Sequence, residues 1–414
     1  MILLTHPFGN ANVRAVLAAL EEAGLLAEFV TTVGWSRDSR AAQILERVVS
    51  GKLARRSYDL APEKITVRPT REIVRLLTGR FGARSLTTHE RGWASVDQIL
   101  RDLDYFAASC LTNGTFARNI ATVYAYEDGA ERLFAAARER GLHRVYDLPI
   151  AYWETVQRLL AEEAARYPDW EPTLVGTRDS TEKLQRKTRE LALAQLVICP
   201  SAFVLESLPE STRAQKQCLV APFGSPALPN DRQPREKNRD RKLRILFAGA
   251  LSQRKGLADL FAAMKLLDSD QIELVVMGSL LQPLIWYRDR FADFTYEPPR
   301  PHREVLRLMS SCDLLVLPSI VEGRALVQQE AMACGLPLIA TKNAGGDDLI
   351  EEGETGFLVP IRSPEAIAEK ISWCIQHRPR ISGMAIAAQS KAVEFTWRRY
   401  GEQVVAAIRR LTGE

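Results

Sequence analysis

What is missing from this chain of 414 residues narrows it first. Its six cysteines form no CxxC pair and are scattered through apolar or helical stretches, which excludes a disulfide scaffold and a structural zinc site. The five histidines lie far apart and no HExxH occurs, so a histidine-ligated catalytic metal has no support. Charge of one sign is also lacking. With 55 Lys+Arg against 51 Asp+Glu the net charge is +4, too balanced for a protein wrapped around nucleic acid. No apolar run approaches the roughly 18 residues of a membrane-spanning helix. The start MILLTHPFGNANVR has neither the basic end nor the long apolar run of a signal peptide. The protein is therefore expected in a reducing cytoplasm. No GxGxxG follows a strand, and FAGALSQRKGL is not a GxxxxGK[ST] loop, which leaves the dinucleotide and P-loop readings weak.

What is present is a globular composition, 46% hydrophobic and 26% charged, long enough for two domains. Ile2–Thr5 reads as a strand, His6 to Asn10 as a loop, and Val13, Val16, Leu17 and Leu20 as the apolar face of a helix that Asn12 can cap. Strand and helix patterns then alternate, as a parallel sheet requires, except in 36–112, where only helical pieces are legible. The stretch Pro222 to Lys242 has four prolines, many charges and no apolar period, and reads as a linker. The rhythm restarts at Leu243. The expected layout is an N-terminal domain over 1–221, the linker 222–242, a C-terminal domain over 243–396 and a last helix over 397–414. Ligands of such sheets bind beyond the carboxyl ends of the strands, so the default site is the cleft between the two domains.

Three segments of the second half place unusual residues at strand ends. Gly249 to Gly256 puts Arg254 and Lys255 before a helix N-terminus, which suits an anion. Pro318 to Glu330 sets Glu322 just outside a helix and Glu330 within it beside apolar neighbours. Asn343 to Asp348 carries two glycines that let backbone come close to a ligand. Each alone is as compatible with a basic turn, a snorkelling carboxylate or a tight turn.

Together the three segments resemble the C-terminal domain of group 1 glycosyltransferases, the retaining enzymes of glycosyltransferase family 4. The matching text is FAGALSQRKGLADLFAAM, then VVMGS, then DLLVLPSIVEGRALVQQEAMACGLPLIATKNAGGDDLIEEGETGFLVP, about residues 243–377, including an E-x7-E pair at Glu322 and Glu330. The resemblance implies an α/β GT-B fold, two Rossmann-like domains with parallel sheets facing across a cleft, the C-terminal helix crossing back to the first domain. It implies transfer of a sugar from a nucleoside-diphosphate sugar to a hydroxyl of a glycan, lipid-linked or small-molecule acceptor, in polysaccharide, lipid-linked glycan or glycolipid synthesis, without metal or other cofactor. Gly249, Arg254 and Lys255 would hold the diphosphate. Glu322 and Gly323 would meet the sugar, Glu330 the ribose, and the N–H groups of Arg324, Ala325 and Leu326 the sugar or phosphates, with Arg324 a further cation. Lys255, Glu322 and Asp147 are the expected catalytic groups.

Departures from the family pattern are Ala250, where an arginine is usual, and Arg324-Ala325, where Phe-Gly is common. Ala250 keeps open a sugar-nucleotide binder without transferase activity, and a GT-B epimerase is a further alternative. The first domain matches less well. Tyr124-Ala125-Tyr126 and Tyr146-Asp147 stand where many members carry histidines. Asp147, Glu127 and Asp128 are candidates for positioning the acceptor hydroxyl or taking its proton, although a donor phosphate oxygen can take it instead. His6, Gly9, Asn10 and Tyr126 are expected on the acceptor side. From Lys52 to Arg91 ten Lys/Arg face four Asp/Glu, a local +6 that fits either a solvated face or peripheral contact with an anionic membrane at the inner face of the cell membrane.

Overall fold

A computed structural model describes residues 1–37, 56–81, 84–116, 119–226 and 241–413. Most of the expected linker therefore lies outside the described residues, as does part of the basic stretch.

The first sheet has seven strands, all parallel: β1 (Ile2–Thr5), β2 (Leu26–Thr31), β5 (Ile65–Val67), β6 (Thr122–Tyr126), β7 (His143–Asp147), β8 (Leu196–Cys199) and β9 (Gln217–Val220), in the order β5-β2-β1-β6-β7-β8-β9. A short pair, β3 (Trp35–Ser36) and β4 (Ser57–Tyr58), lies apart from it. The second sheet holds β10 (Leu243–Ala248), β11 (Ile272–Met277), β12 (Thr295–Glu297), β13 (Leu314–Leu317), β14 (Leu338–Ala340) and β15 (Gly356–Leu358), also all parallel, in the order β12-β11-β10-β13-β14-β15. Both sheets are covered by helices on two faces, so their central strands are largely apolar, as in LLVL of β13, buried at every residue. The strand order reverses once in each sheet, between β1 and β6 and between β10 and β13. These are the switch points outside which ligands of doubly wound sheets bind.

Most expected elements are found within a few residues of their predicted bounds. β5 escaped the reading because it has only three residues, Ile65 and Thr66 half-buried and Val67 exposed, too few for a pattern to show. The first helix begins at Ala11 with Asn10 at its N-cap position, and Asn12 lies buried in the first turn rather than capping it. All six cysteines are free, and all but Cys218 are buried.

Two connections tie the halves together. The C-terminal helix Trp397–Thr412 returns to the first domain, where Tyr400, Val404 and Ile408 join Val13, Val16 and Leu20 in one core. Gly401 permits this approach, because a Cβ there would lie 2.6 Å from the Ala19 Cβ. The second connection was not legible in the sequence. The helix Trp153–Arg166 and the turns after it leave the first sheet between β7 and β8 and dock on the other domain. Trp170 belongs to the second domain's core, 4% exposed, with the Trp286 ring at 4.9 Å and Phe261 at 6.0 Å. The boundary at 221 therefore separates the sheets but not the packing. Trp170→Ala is expected to destabilise the protein by about 3–5 kcal/mol and to lower the melting temperature, as thermal unfolding measures. An unchanged melting temperature would place Trp170 outside the core.

Candidate functional site

The loops after the switch-point strands line one cleft of about 1260 Å³ between the domains. Single-ligand pockets run to roughly 300–1,000 Å³, so two substrates fit side by side. The first domain contributes His6, Gly9, Asn10, Tyr126 and Glu127, and the second Gly249, Lys255, Glu322, Arg324, Ala325, Leu326 and Glu330. These are expected site residues, brought together from positions up to 324 residues apart. Arg254, Gly323, Asp128 and Asp147 are not among the lining residues.

On the second-domain side the cations converge. Gly249 ends β10 at φ +148°, and a Cβ there would sit 2.6 Å from the Lys255 side chain, so the missing side chain is what lets the lysine stem fold across the loop. Lys255 Nζ lies 2.7 Å from Glu322 Oε1 and Arg254 Nη2 lies 3.2 Å from the same oxygen. Arg254 thus reaches the site from beside it, although it does not line the cleft. The helix Leu326–Ala333 begins next to Glu322; in its first turn the Gln328 N–H is given to the Ala325 carbonyl at 3.0 Å, while the Leu326 and Val327 N–H groups have no carbonyl one turn earlier within the helix to take them. Ala325 is an exception to the expected set of amide donors, because its N–H is given to the Ala344 carbonyl at 3.1 Å. Glu330 lies on this helix with its Oε1 3.6 Å from His302 Nδ1, and burial pushes its carboxyl above the ordinary range while His302 pulls it back. His302 and Arg300 also line the cleft. Arg300 lies in the run 298–301 after β12 and His302 opens the helix His302–Ser310 that follows, a stretch with no motif of its own.

Arg324 is corrected as a third diphosphate cation. Its side chain is fully buried and turned inward, donating to Gln329 Oε1 at 3.0 Å, the Gly345 carbonyl at 3.1 Å and Asp348 Oδ1 at 2.7 Å. The two glycines of the turn also serve another purpose than approach to a ligand. A Cβ on Gly345 would lie 1.9 Å from the Gly323 carbonyl oxygen, and one on Gly346 would strike the Gln328 side chain.

On the first-domain side His6 is buried, and its Nδ1 accepts N–H bonds from Phe8 and Gly9, both at 3.0 Å. Burial, assisted by Arg56, lowers its pKa to about 3. The ring is neutral, and its proton must sit on Nε2. Glu127 is held by Lys187 Nζ at 3.3 Å, and burial pushes its carboxyl up despite that lysine. Asp128 is spent on Arg186 at 3.2 Å and on Lys187 and Lys183 at 3.6 and 3.8 Å, which corrects it as an acceptor group. Asp147 is corrected too. It is 1% exposed, and its Oδ2 accepts from Tyr124 at 2.7 Å and from Tyr400 of the returning helix at 3.3 Å. Burial raises its pKa to about 7.

Known proteins agree with this architecture. Residues 229–391 match the family model described as Glycosyl transferases group 1. A D-inositol 3-phosphate glycosyltransferase of Corynebacterium diphtheriae is 27% identical over 252 residues, 56% of this chain and 54% of the relative. One from Mycobacterium bovis is 33% identical over 127 residues, 30% of this chain and 26% of the relative. The matches thus span about half the length of these curated relatives or less. Among solved structures, sucrose-phosphate synthase from Thermosynechococcus elongatus superposes with a TM-score of 0.64 at 18% identity, over 100% of this chain and 99% of the other. Anabaena HepE in complex with UDP gives 0.59 at 16% identity, over 99% of both. At such identities these show the fold, which is GT-B.

Two outcomes follow from the site's geometry. A Cβ on Gly323 would lie 1.8 Å from the Pro149 carbonyl oxygen, so Gly323→Ala is expected to cost about 1–3 kcal/mol of stability in a denaturant titration. Asp147 binds its proton more tightly folded than unfolded, so between about pH 4 and 7 the folded state holds more protons and stability falls as pH rises, by on the order of 1 kcal/mol per pH unit. Asp147→Asn removes that slope. Parallel stability–pH curves for variant and wild type would contradict the buried-carboxyl assignment.

Proposed function

Since its second domain places the chain among the group 1 glycosyltransferases, we propose that it transfers a sugar from a nucleoside-diphosphate sugar to an acceptor hydroxyl. The carrying observation is the meeting of Lys255 and Arg254 with Glu322 at the second switch point, with Glu330 on the helix that follows. A departing diphosphate gains negative charge, and fixed cations with first-turn amides stabilise that charge most where it develops. In this reading Lys255 and Arg254 release Glu322 when the diphosphate arrives, and the freed carboxylate accepts from sugar hydroxyls. Glu330 accepts from the ribose. The solved GT-B neighbour from Anabaena in complex with UDP-glucose supports a uridine nucleotide as the first donor to try. The curated relatives' names support a phosphorylated cyclic polyol as one acceptor to try, beside glycans and lipid-linked glycans. Retention of anomeric configuration and independence from metal belong to the same proposal.

Ala250, where the family commonly has arginine, favours the second reading, a sugar-nucleotide binder that does not transfer. Release of free nucleoside diphosphate from a panel of donors and acceptors separates the two, and isomerised sugar nucleotide would mark an epimerase. Lys255→Ala and Glu330→Ala are each expected to weaken donor binding by about 1–3 kcal/mol in calorimetry. Wild-type affinity in both variants would sink the site assignment. Turnover unchanged in EDTA is the expected outcome for metal independence.

Membrane contact through the basic stretch Lys52–Arg91 has less behind it. In its described part Arg56 and Arg75 pair with Glu72, Lys64 with Glu21, and Arg68 and Arg71 with Asp102. Among the described residues no helix is long and apolar enough to cross a membrane.

A further inference from the structure

The phosphate-loop cations are held in place from the other domain. Gln253, the residue before Arg254 and Lys255, is fully buried. Its Nε2 donates to Glu163 Oε2 at 2.7 Å and to Asp259 Oδ2 at 2.8 Å, and its Oε1 accepts from the Ala258 N–H at 2.9 Å. Its own N–H donates to Thr173 Oγ1 at 3.1 Å. Glu163 and Thr173 belong to the excursion between β7 and β8, so two of these four bonds cross between domains. Glu163 is itself fully buried and ion-paired with Arg362 of the second domain.

A buried carboxylate is expensive unless its oxygens are satisfied by fixed donors. Glu163 meets that condition through Gln253 and Arg362, with Arg166 Nη1 at 3.8 Å from its Oε2 and at 2.7 Å from Asp259 Oδ1. The amide of Gln253, in turn, has no water to turn toward. The cluster fixes the backbone one residue before the cations. The effect carries onward, because the Arg254 carbonyl accepts the N–H of Ile320 at 2.9 Å, in the loop that holds Glu322. Ile320 and Val321 pack on Leu159 and Leu160 of the same excursion.

We infer that Glu163 and Gln253 are positioning residues for sugar transfer: the first domain, through Glu163 and Thr173, sets the geometry of the Arg254–Lys255 loop and of Glu322 against it. The inference rests on the donor-site reading above. It assigns a role to a carboxylate that touches no substrate and lies in the other domain, where no motif marks it. It also implies that the cleft is pre-formed on this side, with the two domains joined at the phosphate loop rather than swinging free.

The test uses the full chain with Glu163→Ala, Glu163→Gln, Thr173→Val, Gln253→Ala and the double Glu163→Ala/Gln253→Ala. Affinity for UDP, ADP and GDP is measured by calorimetry, and amide hydrogen exchange is followed at Lys255, Gly256 and Ile320. The expected result is about tenfold weaker binding, one lost hydrogen bond's worth, in Glu163→Ala and in Gln253→Ala. The double variant should be no worse than the poorer single, and exchange at the three amides should be faster while that of β1 and β6 is unchanged. Glu163→Gln, which keeps an oxygen for Gln253, should recover part of the loss. Turnover should fall with affinity, because Lys255 faces charge that grows in the transition state. A merely structural role would lower the melting temperature and leave the affinity of the folded protein as it was. That result, in a wild type that binds one of the nucleotides, overturns the inference and leaves the functional reading standing. A wild type that binds none overturns the functional reading, and exchange at the three amides then decides whether the loop is held from Glu163. Should Gln253→Ala fail to fold, Thr173→Val, close in shape and lacking only the hydroxyl that accepts from the Gln253 N–H and donates to the Trp170 carbonyl, answers the same question.

Discussion

Three stretches of backbone from distant parts of the chain meet at Gly323, and the cleft is built around that meeting. Below it lies the Pro149 carbonyl, 1.8 Å from where a Cβ would be, and above it Gly345, whose own Cβ would fall 1.9 Å from the Gly323 carbonyl. That carbonyl also accepts from Ser201 Oγ at 2.7 Å. Only a pair of glycines permits the stack, and the stack is what brings the first domain to the end of β13. Glu322 and Arg324 flank Gly323 and are sent opposite ways by it: Glu322 to Lys255 in the cleft, Arg324 into the domain toward Asp348. The direction of the Glu322 carboxylate is thus set by a backbone contact between domains.

The same contact explains what was legible and what was not. The place of Lys255, Glu322 and Glu330 at the cleft was readable because each follows a strand end that leads into a helix start. The two sheets were readable for a similar reason, since parallel strands buried on both faces are plain apolar runs. Arg324 was misread because spacing says nothing about which way a side chain turns. The glycines of 345 and 346 were rightly read as a close approach, but the partner is the chain itself rather than a ligand. Asp147 is the clearest failure. It ends a central strand, as cleft residues do, yet Tyr400, 253 residues further on, returns with the last helix and shares its carboxylate with Tyr124. No local pattern announces that.

Domain boundaries show the limit of linear reading in another form. Composition separates the halves near residue 222, and each half does hold one sheet. Packing ignores the division at Trp170 and at Tyr400, large aromatics that fill a core of the other half, and again where Ile320 and Val321 join Leu159 and Leu160. Local charge behaves alike. The surplus of +6 counted over 52–91 is drawn down by Glu21 and Asp102, which lie outside the window. Long-range partners decide both questions, and they are invisible until the chain is folded.

The distribution of protons in the cleft bears on how transfer would run. His6 offers only an Nε2–H, because both N–H bonds to Nδ1 would be lost if the tautomer changed, and burial keeps the ring from taking a second proton. It can therefore orient an acceptor oxygen as a donor but cannot take its proton at neutral pH. Asp147 is sealed behind tyrosines, and Asp128 is committed to three cations. Of the first-domain carboxylates considered, Glu127 alone faces the cleft, and Lys187 holds it from behind. Across the cleft the protein presents Lys255, the amides of a helix start and the carboxylates Glu322 and Glu330. The cations and amides among these are suited to stabilising a departing diphosphate. On the first-domain side Glu127 remains once His6, Asp128 and Asp147 are removed, beside an oxygen of the departing group itself, as the group to take the acceptor's proton.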